Sequence, residues 1–183
     1  MLTPCLPAEI ERVLVTEAEI AAAVDELADR LSRDYAGRHP VMVGALTGAV
    51  VFLADLMRRL DFPLTVDTVA VSSYGGGHET SGELSWGKAL STDVRGRAVV
   101  IVEDIVDSGL TLARLRAALT EAGAADVAVC ALLSKPARRQ VDVPVEYVGL
   151  EIPDEFVVGY GLDYAQRWRN LPFVGVLRRE VYA

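Results

Sequence analysis

Six short strand-like runs alternate with segments of helical periodicity along this chain of 183 residues. The predicted strands, which are mostly apolar, cover residues 10–15, 41–46, 64–73, 98–102, 126–134 and 145–152. Segments whose apolar residues recur every three or four positions lie between several of these runs, and they predict amphipathic helices. Such an alternation specifies an α/β fold, in which a mostly parallel, twisted sheet is flanked by helices.

Local signals set the limits of the predicted helices. Thr16 followed by Glu19 forms a capping box, which starts a helix that continues as far as about Tyr35. A second helix follows Gly48 and extends to Leu60, and a third covers residues 110–122. No repeat or linker interrupts this order, so residues 1–183 are expected to form a single domain.

Charge and composition count against several classes of protein. The net charge of −8 does not favour nucleic-acid binding, although backbone amides and a metal ion still bind a small anion locally. The apolar runs are too short to span a bilayer, and the first residues lack the basic flank of a secretory signal. Cys5 and Cys130 are expected to be reduced packing residues. A cytoplasmic protein is expected, without a membrane or nucleic-acid partner.

The segment VVIVEDIVDSGLT is the most informative one in the chain. An apolar strand delivers Glu103 and Asp104 to its end, Asp107 follows, and a helix begins near Leu110. A helix start offers free N–H groups and a positive dipole end, and Gly109 lets the backbone approach closely. Helix capping would explain one acid but not three, so the segment predicts a phosphate site.

This string resembles the phosphoribosyl-pyrophosphate motif of the type I phosphoribosyltransferases, in the form found in hypoxanthine-guanine phosphoribosyltransferases. The resemblance extends over almost the whole chain, through VMVGALTGAVVFLADL, SSYG, VEDIVDSGLT, LLSKPARRQV and IPDEFVVGYGLDYAQRWRNLP. It implies the type I phosphoribosyltransferase fold, with a small hood formed by the N- and C-terminal segments. A purine-binding hood segment would cover about residues 150–183.

The activity that the resemblance implies is purine salvage. Such an enzyme transfers the 5-phosphoribosyl group from phosphoribosyl pyrophosphate to hypoxanthine or guanine and produces IMP or GMP and pyrophosphate. Mg²⁺ is the implied cofactor. Members of the family form dimers or tetramers, so a homodimer or homotetramer is expected.

The same resemblance assigns the donor substrate to three groups of residues. Ribose and phosphate would be bound by Glu103, Asp104, Asp107, Ser108, Gly109, Leu110 and Thr111. Pyrophosphate would be bound by Leu46, Thr47, Gly48 and Arg169, and Mg²⁺ by Glu103, Asp104 and Asp163. Asp107 matches the proposed general base that removes the purine N7 proton. Many relatives carry Lys at the position of Thr47, so this chain lacks a cationic side chain there.

The residues that the resemblance implies for the purine base are Lys135, Phe156, Val157 and Asp163. Lys135 offers only hydrogen-bond donors, which suit a 6-oxo group and oppose a 6-amino group. Phe156 would stack on the ring, and Val157 would contact the base through its backbone. Without the resemblance, Lys135 would be interpreted as a solvated lysine. The run FVVGY would be interpreted as a buried core strand, and this second interpretation is kept for Val158.

A glycine-rich segment with little periodicity is typical of either a mobile functional loop or a long hairpin, and the one at about residues 73–92 is predicted to be a flexible active-site loop. Ser73 and Tyr74 match the start of the family's loop, whose closure would shield the reacting sugar from water. His78 in the same segment is expected to be incidental.

Three alternatives stay open at this point. A sister enzyme that prefers xanthine or guanine would differ only in pocket detail. A regulatory RNA-binding protein with the same fold, as in the pyrimidine-operon attenuators, would need a basic face, whereas the chain has 18 Lys and Arg against 26 acids. A catalytically weak binding module is consistent with Thr47.

Overall fold

The computed structural model describes residues 6–72 and 85–183. The strands in these residues are β1 (Ile10–Val15), β2 (Val41–Leu46), β3 (Thr65–Ser72), β4 (Ser85–Lys88), β5 (Ala98–Val106), β6 (Asp126–Ser134), β7 (Tyr147–Glu151), β8 (Val157–Val158) and β9 (Val174–Leu177). The helices are α1 (Glu17–Tyr35), α2 (Val50–Met57), α3 (Leu110–Glu121) and α4 (Arg179–Tyr182). Most elements differ from the prediction only at their ends, but β4 lies inside the segment of about residues 73–92 that the sequence predicts to be a flexible loop.

The main sheet confirms the predicted mostly parallel α/β architecture. Its strand order is β4-β3-β2-β5-β6-β7, and β4 runs antiparallel to β3 while the other neighbouring pairs are parallel. Successive residues of β5 enter two different cores: Val100 and Val102 pack with α1 and α2, whereas Val99 and Ile101 pack with α3. A strand that is covered on both faces has to be apolar throughout, which explains the sequence of β5.

Helix α1 begins at the predicted capping box. The Glu19 backbone N–H donates to Thr16 Oγ1 at 3.2 Å, and the Thr16 backbone N–H donates to the Glu19 carboxylate at 2.8 Å. A cap of this kind contributes about 1 kcal/mol to helix stability. Leu27 and Leu31 on the buried face of α1 then pack against the sheet.

Strand β5 is longer than the predicted residues 98–102. It pairs with β2 up to Val102, but its pairing with β6 continues as far as Val106. Glu103 and Asp104 therefore lie inside the strand and not after its end. Because the pairing of β2 with β5 stops at Val102, the strand edge beside both acids is open to the cleft described below.

The N- and C-terminal segments form the predicted hood, a second sheet with the order β1-β9-β8 and antiparallel pairing. Arg12 in β1 donates to both carboxylate oxygens of Glu155, each at 2.6 Å. The Leu177 N–H donates to the Phe156 carbonyl at 2.8 Å. These contacts hold residues 155–157 in the hood. Among the described residues, no helix combines the length and the apolarity needed to cross a bilayer.

Candidate active site

Two adjoining cavities contain the predicted site residues of the described chain, apart from Leu110. The first, named the acidic cavity, has a volume of about 380 Å³ and is lined by Ala45, Leu46, Thr47, Gly48, Glu103, Asp104, Ile105, Val106, Asp107, Ser108, Gly109, Thr111, Leu112, Leu115, Leu162, Asp163 and Arg169. The second, named the aromatic cavity, has a volume of about 340 Å³ and is lined by Ile105, Asp107, Lys135, Arg138, Asp154, Glu155, Phe156, Val157, Leu162, Asp163 and Tyr182.

Leu110 is the first residue of α3, and 37% of it is exposed to solvent. Its side chain is not among those that line the acidic cavity. The predicted loop residues Ser73 and Tyr74, together with His78, lie outside the described residues.

The acidic pair Glu103–Asp104 lines the first cavity. Burial and, to a smaller extent, the charge of the neighbouring Asp104 carboxylate together raise the pKa of Glu103 to about 8. Burial also raises the pKa of Asp104 to about 6, although a hydrogen bond from the Ile105 N–H at 2.9 Å acts to lower it. Two adjacent carboxylates whose ionised forms are disfavoured are suited to a divalent cation, which would stabilise both charges.

The third predicted metal ligand, Asp163, is engaged differently. It forms an ion pair with Arg169 at 2.6 Å and accepts a hydrogen bond from the Gln166 N–H at 2.8 Å. Within residues 6–72 and 85–183, no three His, Cys, Asp or Glu side chains converge into a metal site on their own. A cation in this cavity would need further oxygen ligands from water or substrate, which is the usual manner of Mg²⁺ binding.

The start of α3 supplies the polar wall of the acidic cavity. Gly109, which precedes the helix, has φ +81°, a left-handed conformation that favours glycine. The Ser108 hydroxyl accepts a hydrogen bond from the Leu110 N–H at 3.4 Å, and the Ser108 carbonyl accepts one from the Gln140 N–H at 3.0 Å. The other N–H groups of the first helical turn and the Thr111 hydroxyl form a site that is suited to an anion.

Tight backbone contacts join the loop at Thr47, where the Leu46–Thr47 peptide bond is cis, to the hood. A Cβ atom on Gly48 would collide with the Asp104 carboxylate, and one on Gly161 would collide with the Gly48 carbonyl oxygen. Arg169 Nη1 donates to the Gly161 carbonyl at 2.7 Å. A larger side chain is therefore excluded at Gly161, where it would meet backbone, and at Gly48 it would displace the Asp104 carboxylate.

Lys135 follows β6 directly and lines the aromatic cavity. Only 8% of the residue is exposed, so the alternative of a solvated lysine is wrong. Its Nζ donates to the Glu155 carbonyl at 2.7 Å. Burial lowers the pKa of the ammonium group, whereas the carboxylates of Asp107 and Asp154 act to raise it. An ammonium group has three donors, so two remain for an acceptor in the cavity.

Aromatic rings give the second cavity its stacking surface. Phe156 is 37% exposed, and the Tyr182 ring stacks on it with centroids 4.8 Å apart and an interplanar angle of 25°. The Tyr164 ring lies nearly perpendicular to the Phe156 ring, with centroids 5.5 Å apart. Val157 and Val158 are buried in β8, as expected of a core strand for Val158. A ring face and a donor such as Lys135 together suit a planar ligand with a carbonyl group.

Asp107 stands between the two cavities, because it lines both together with Ile105, Leu162 and Asp163. Its carboxylate accepts a hydrogen bond from Arg138 Nε at 3.0 Å.

Sequence reasoning missed Arg138 and Tyr182. Arg138 carried a usable signal, because it follows Lys135 by three residues on the short turn Pro136–Arg138. Tyr182 carried none, since its position depends on how the C-terminal turn packs on the hood.

Comparisons with known proteins agree with this geometry. Residues 14–165 match the family model of the phosphoribosyl transferase domain. The chain is 50% identical over 165 residues to the hypoxanthine phosphoribosyltransferase of Salmonella typhimurium, which corresponds to 89% of this chain and 93% of that protein. A crystal structure of a hypoxanthine phosphoribosyltransferase from Staphylococcus aureus has a TM-score of 0.90 and 43% identity, over 96% of this chain and 95% of that one.

The match also extends to longer proteins. The chain is 46% identical over 175 residues to the bifunctional protein TilS/HprT of Listeria monocytogenes, but it spans only 27% of that protein's length.

Proposed function

Since this chain belongs to the phosphoribosyltransferase family, we propose that it is a purine-salvage enzyme that uses hypoxanthine or guanine. It transfers the 5-phosphoribosyl group from phosphoribosyl pyrophosphate to the base and produces IMP or GMP and pyrophosphate. The observation that carries this proposal is the pair of adjoining cavities with Asp107 in their common wall. One cavity suits a sugar phosphate and the other suits an oxopurine, so the bond between them would form beside Asp107.

The donor substrate occupies the acidic cavity in this proposal. The N–H groups and hydroxyls at Ser108–Thr111 hold the 5-phosphate, since a helix start attracts an anion. Glu103 and Asp104 accept hydrogen bonds from the two ribose hydroxyls. Arg169 and the loop at Thr47 hold the pyrophosphate, and the forked guanidinium is suited to its oxygens.

Glu103, Asp104 and Asp163 are the residues that would hold Mg²⁺ beside the donor. The ion, when bound, supplies a Lewis acid that offsets the charge on the leaving pyrophosphate. The raised pKa values of Glu103 and Asp104 support this assignment, because a nearby cation would favour their ionised forms.

The purine base occupies the aromatic cavity. Lys135 donates to the 6-oxo group, and Phe156 stacks on the ring. Val157 contacts the base through its backbone, and Asp163 forms part of the wall beside the base. Adenine is rejected because its 6-amino group would place donors against the donors of Lys135.

Asp107 moves the proton in this mechanism. Purine N9 forms a bond to C1 of the ribose while the bond from C1 to the pyrophosphate oxygen breaks, and the carboxylate takes the proton from N7. Arg138 holds the carboxylate by an ion pair at 3.0 Å. The remaining contribution of the protein is positioning, since both substrates are held on opposite sides of one residue.

The direct test is product detection. The purified protein is mixed with hypoxanthine, phosphoribosyl pyrophosphate and Mg²⁺, and IMP is measured by chromatography. A control with ribose 5-phosphate, which lacks the leaving group, should give no IMP. If neither hypoxanthine nor guanine is converted, the proposal is wrong. A competition assay that includes xanthine would rank the three bases.

Two further parts of the proposal concern the assembly and the location of the enzyme. A homodimer or homotetramer is proposed, and the exposed apolar residues Val50 and Met57 of α2 support a subunit contact that light scattering would detect. The cytoplasm is the proposed compartment, in line with the buried, unpaired thiol of Cys130.

A further inference from the structure

Tyr182 lines the aromatic cavity, yet the function proposed above gives it no task. We propose that Tyr182 is a positioning residue for the purine base: its ring fixes the plane of Phe156 and thereby sets the affinity of the cavity for the base. The inference rests on the proposed function and adds a residue to its base-binding side. It comes from the stacking of two rings at 4.8 Å beside a buried lysine.

Phe156 needs such a restraint. With 37% of the residue exposed, an unsupported ring would sample several orientations, and binding of a base would have to select one of them. Tyr182 stacks on the Phe156 ring at an angle of 25°, while the Tyr164 ring lies nearly perpendicular to it, at 89°. These two contacts hold the ring before a base arrives, so less conformational entropy is lost on binding.

The C-terminal turn that carries Tyr182 is tied to the N-terminal segment. The Arg178 backbone N–H donates to the Glu9 carbonyl at 2.9 Å, and Arg178 Nε donates to the Ala8 carbonyl at 2.8 Å. Val181 packs against the hood core around Ile10. A chain end that is anchored in this way is able to hold a side chain in one place.

The stacked pair continues into a longer row of aromatic rings. Tyr164 stacks on Trp168 at 6.4 Å and 17°, and the guanidinium of Arg167 lies 4.2 Å from the Trp168 ring centroid. Arg167 donates to the Glu9 carboxylate at 3.0 Å. Both ends of the row are therefore connected to Glu9, one through Arg167 and the other through the Arg178 turn.

The test is a kinetic comparison of Tyr182→Ala, Tyr182→Leu and Tyr182→Phe, with Glu180→Ala as the control for an exposed residue on the same turn. We expect Tyr182→Ala and Tyr182→Leu to raise the KM for hypoxanthine about fivefold, in keeping with the strength of an aromatic pair. The KM for phosphoribosyl pyrophosphate and kcat should change less than twofold, roughly, because the acidic cavity is untouched. Tyr182→Phe, which keeps the ring, should match the wild type.

The outcomes separate this inference from the proposed function. If the wild type is active and Tyr182→Leu leaves the KM for hypoxanthine unchanged, only the role of Tyr182 is overturned. Equal increases in both KM values would indicate a general structural role and would also overturn it, as would a lower base KM, which would mean that the tyrosine competes with the base. A wild type that forms no nucleotide would remove the proposed function itself. Leucine keeps the apolar volume, so the test does not depend on folding of the Ala variant.

Discussion

The acidic and aromatic cavities share a wall, but different parts of the fold build them. Strand ends of the parallel sheet and the start of α3 form the acidic cavity, with most of its polar groups inside one short stretch, residues 103–111. The aromatic cavity combines Lys135 after β6, Phe156 in the hood and Tyr182 at the C-terminus. Backbone hydrogen bonds hold the first, and side-chain packing holds much of the second. The polar groups proposed to bind the donor thus lie mainly in one contiguous stretch, whereas those proposed to bind the base come from separate parts of the chain.

Asp107 belongs to both cavities, so its substitution is the strongest test of their separation. Asp107→Asn should lower kcat by about 10²- to 10³-fold, because an amide does not accept the N7 proton. The KM for phosphoribosyl pyrophosphate should stay close to that of the wild type. Steady-state kinetics would measure both values, with the exposed Asp142→Asn as the control. Unchanged turnover would remove Asp107 from the role of general base.

Lys135→Met should change only the aromatic cavity. Loss of the ammonium donors should reduce the preference for hypoxanthine over adenine by roughly tenfold or more, since the site no longer opposes a 6-amino group. Rates with the two bases would be compared at a fixed donor concentration. Lys88→Met, which alters the other lysine of the chain, should lose its ion pair with Asp67 and keep the discrimination. Full selectivity in Lys135→Met would contradict the assigned contact.

Glu103→Gln should show that the acidic cavity is built at the expense of stability. The folded wild type retains a proton on Glu103 between the ordinary pKa of 4.5 and about 8, whereas the unfolded chain loses it. The free energy of unfolding therefore falls as the pH rises through this window.

Glutamine is neutral throughout, so the variant without metal or donor should be more stable than the wild type at pH 8 by roughly 1–2 kcal/mol. The difference should vanish near pH 4.5, the lower end of the window. Urea unfolding at both pH values would measure it, and a variant that is less stable at pH 8 would disprove the burial argument. Donor binding should weaken at the same time.

Thr47→Lys should give the smallest effect. Thr47 is exposed at the rim of the acidic cavity, so an added ammonium group would contact pyrophosphate in a well-solvated position. We expect pyrophosphate to bind about threefold more tightly, as for an exposed ion pair. Product inhibition would report the change, and Thr47→Met, similar in length but uncharged, is the matched control. If the KM for hypoxanthine changed by the same factor as pyrophosphate binding, the two cavities would not be independent of each other.

The difference between the acidic cavity, formed largely by one stretch of sequence, and the aromatic cavity, formed by distant residues, also explains what could be predicted from sequence. Local patterns were sufficient for the main sheet: the apolar stretch before Glu103 marks a strand covered on both faces, and the Thr16–Glu19 box marks the start of α1. The motif of the acidic cavity is contiguous, so its residues could be placed together. The length of β5 could not be predicted, because it depends on how far the pairing with β6 continues after the pairing with β2 has ended.

The aromatic cavity was predictable only through resemblance to a family. Lys135, Phe156 and Asp163 are separated in the chain, and no local pattern brings them together. Arg138 and Tyr182 could not be predicted in the same way, because each depends on contact with a residue distant in sequence. Arg138 contacts Asp107, and Tyr182 contacts Phe156. Periodicity predicts which residues are buried, whereas it does not predict which distant side chains meet.

The contact between Gly161 and Gly48 has a consequence for any redesign of this protein. No side chain fits between the hood turn and the loop proposed to receive the leaving group. Reshaping residues 159–163 to admit a bulkier base would push directly on that loop. Substitutions in this turn that alter the choice of base should consequently also alter the release of pyrophosphate. A variant that changes base choice alone will need its substitutions elsewhere, for example at the C-terminal turn.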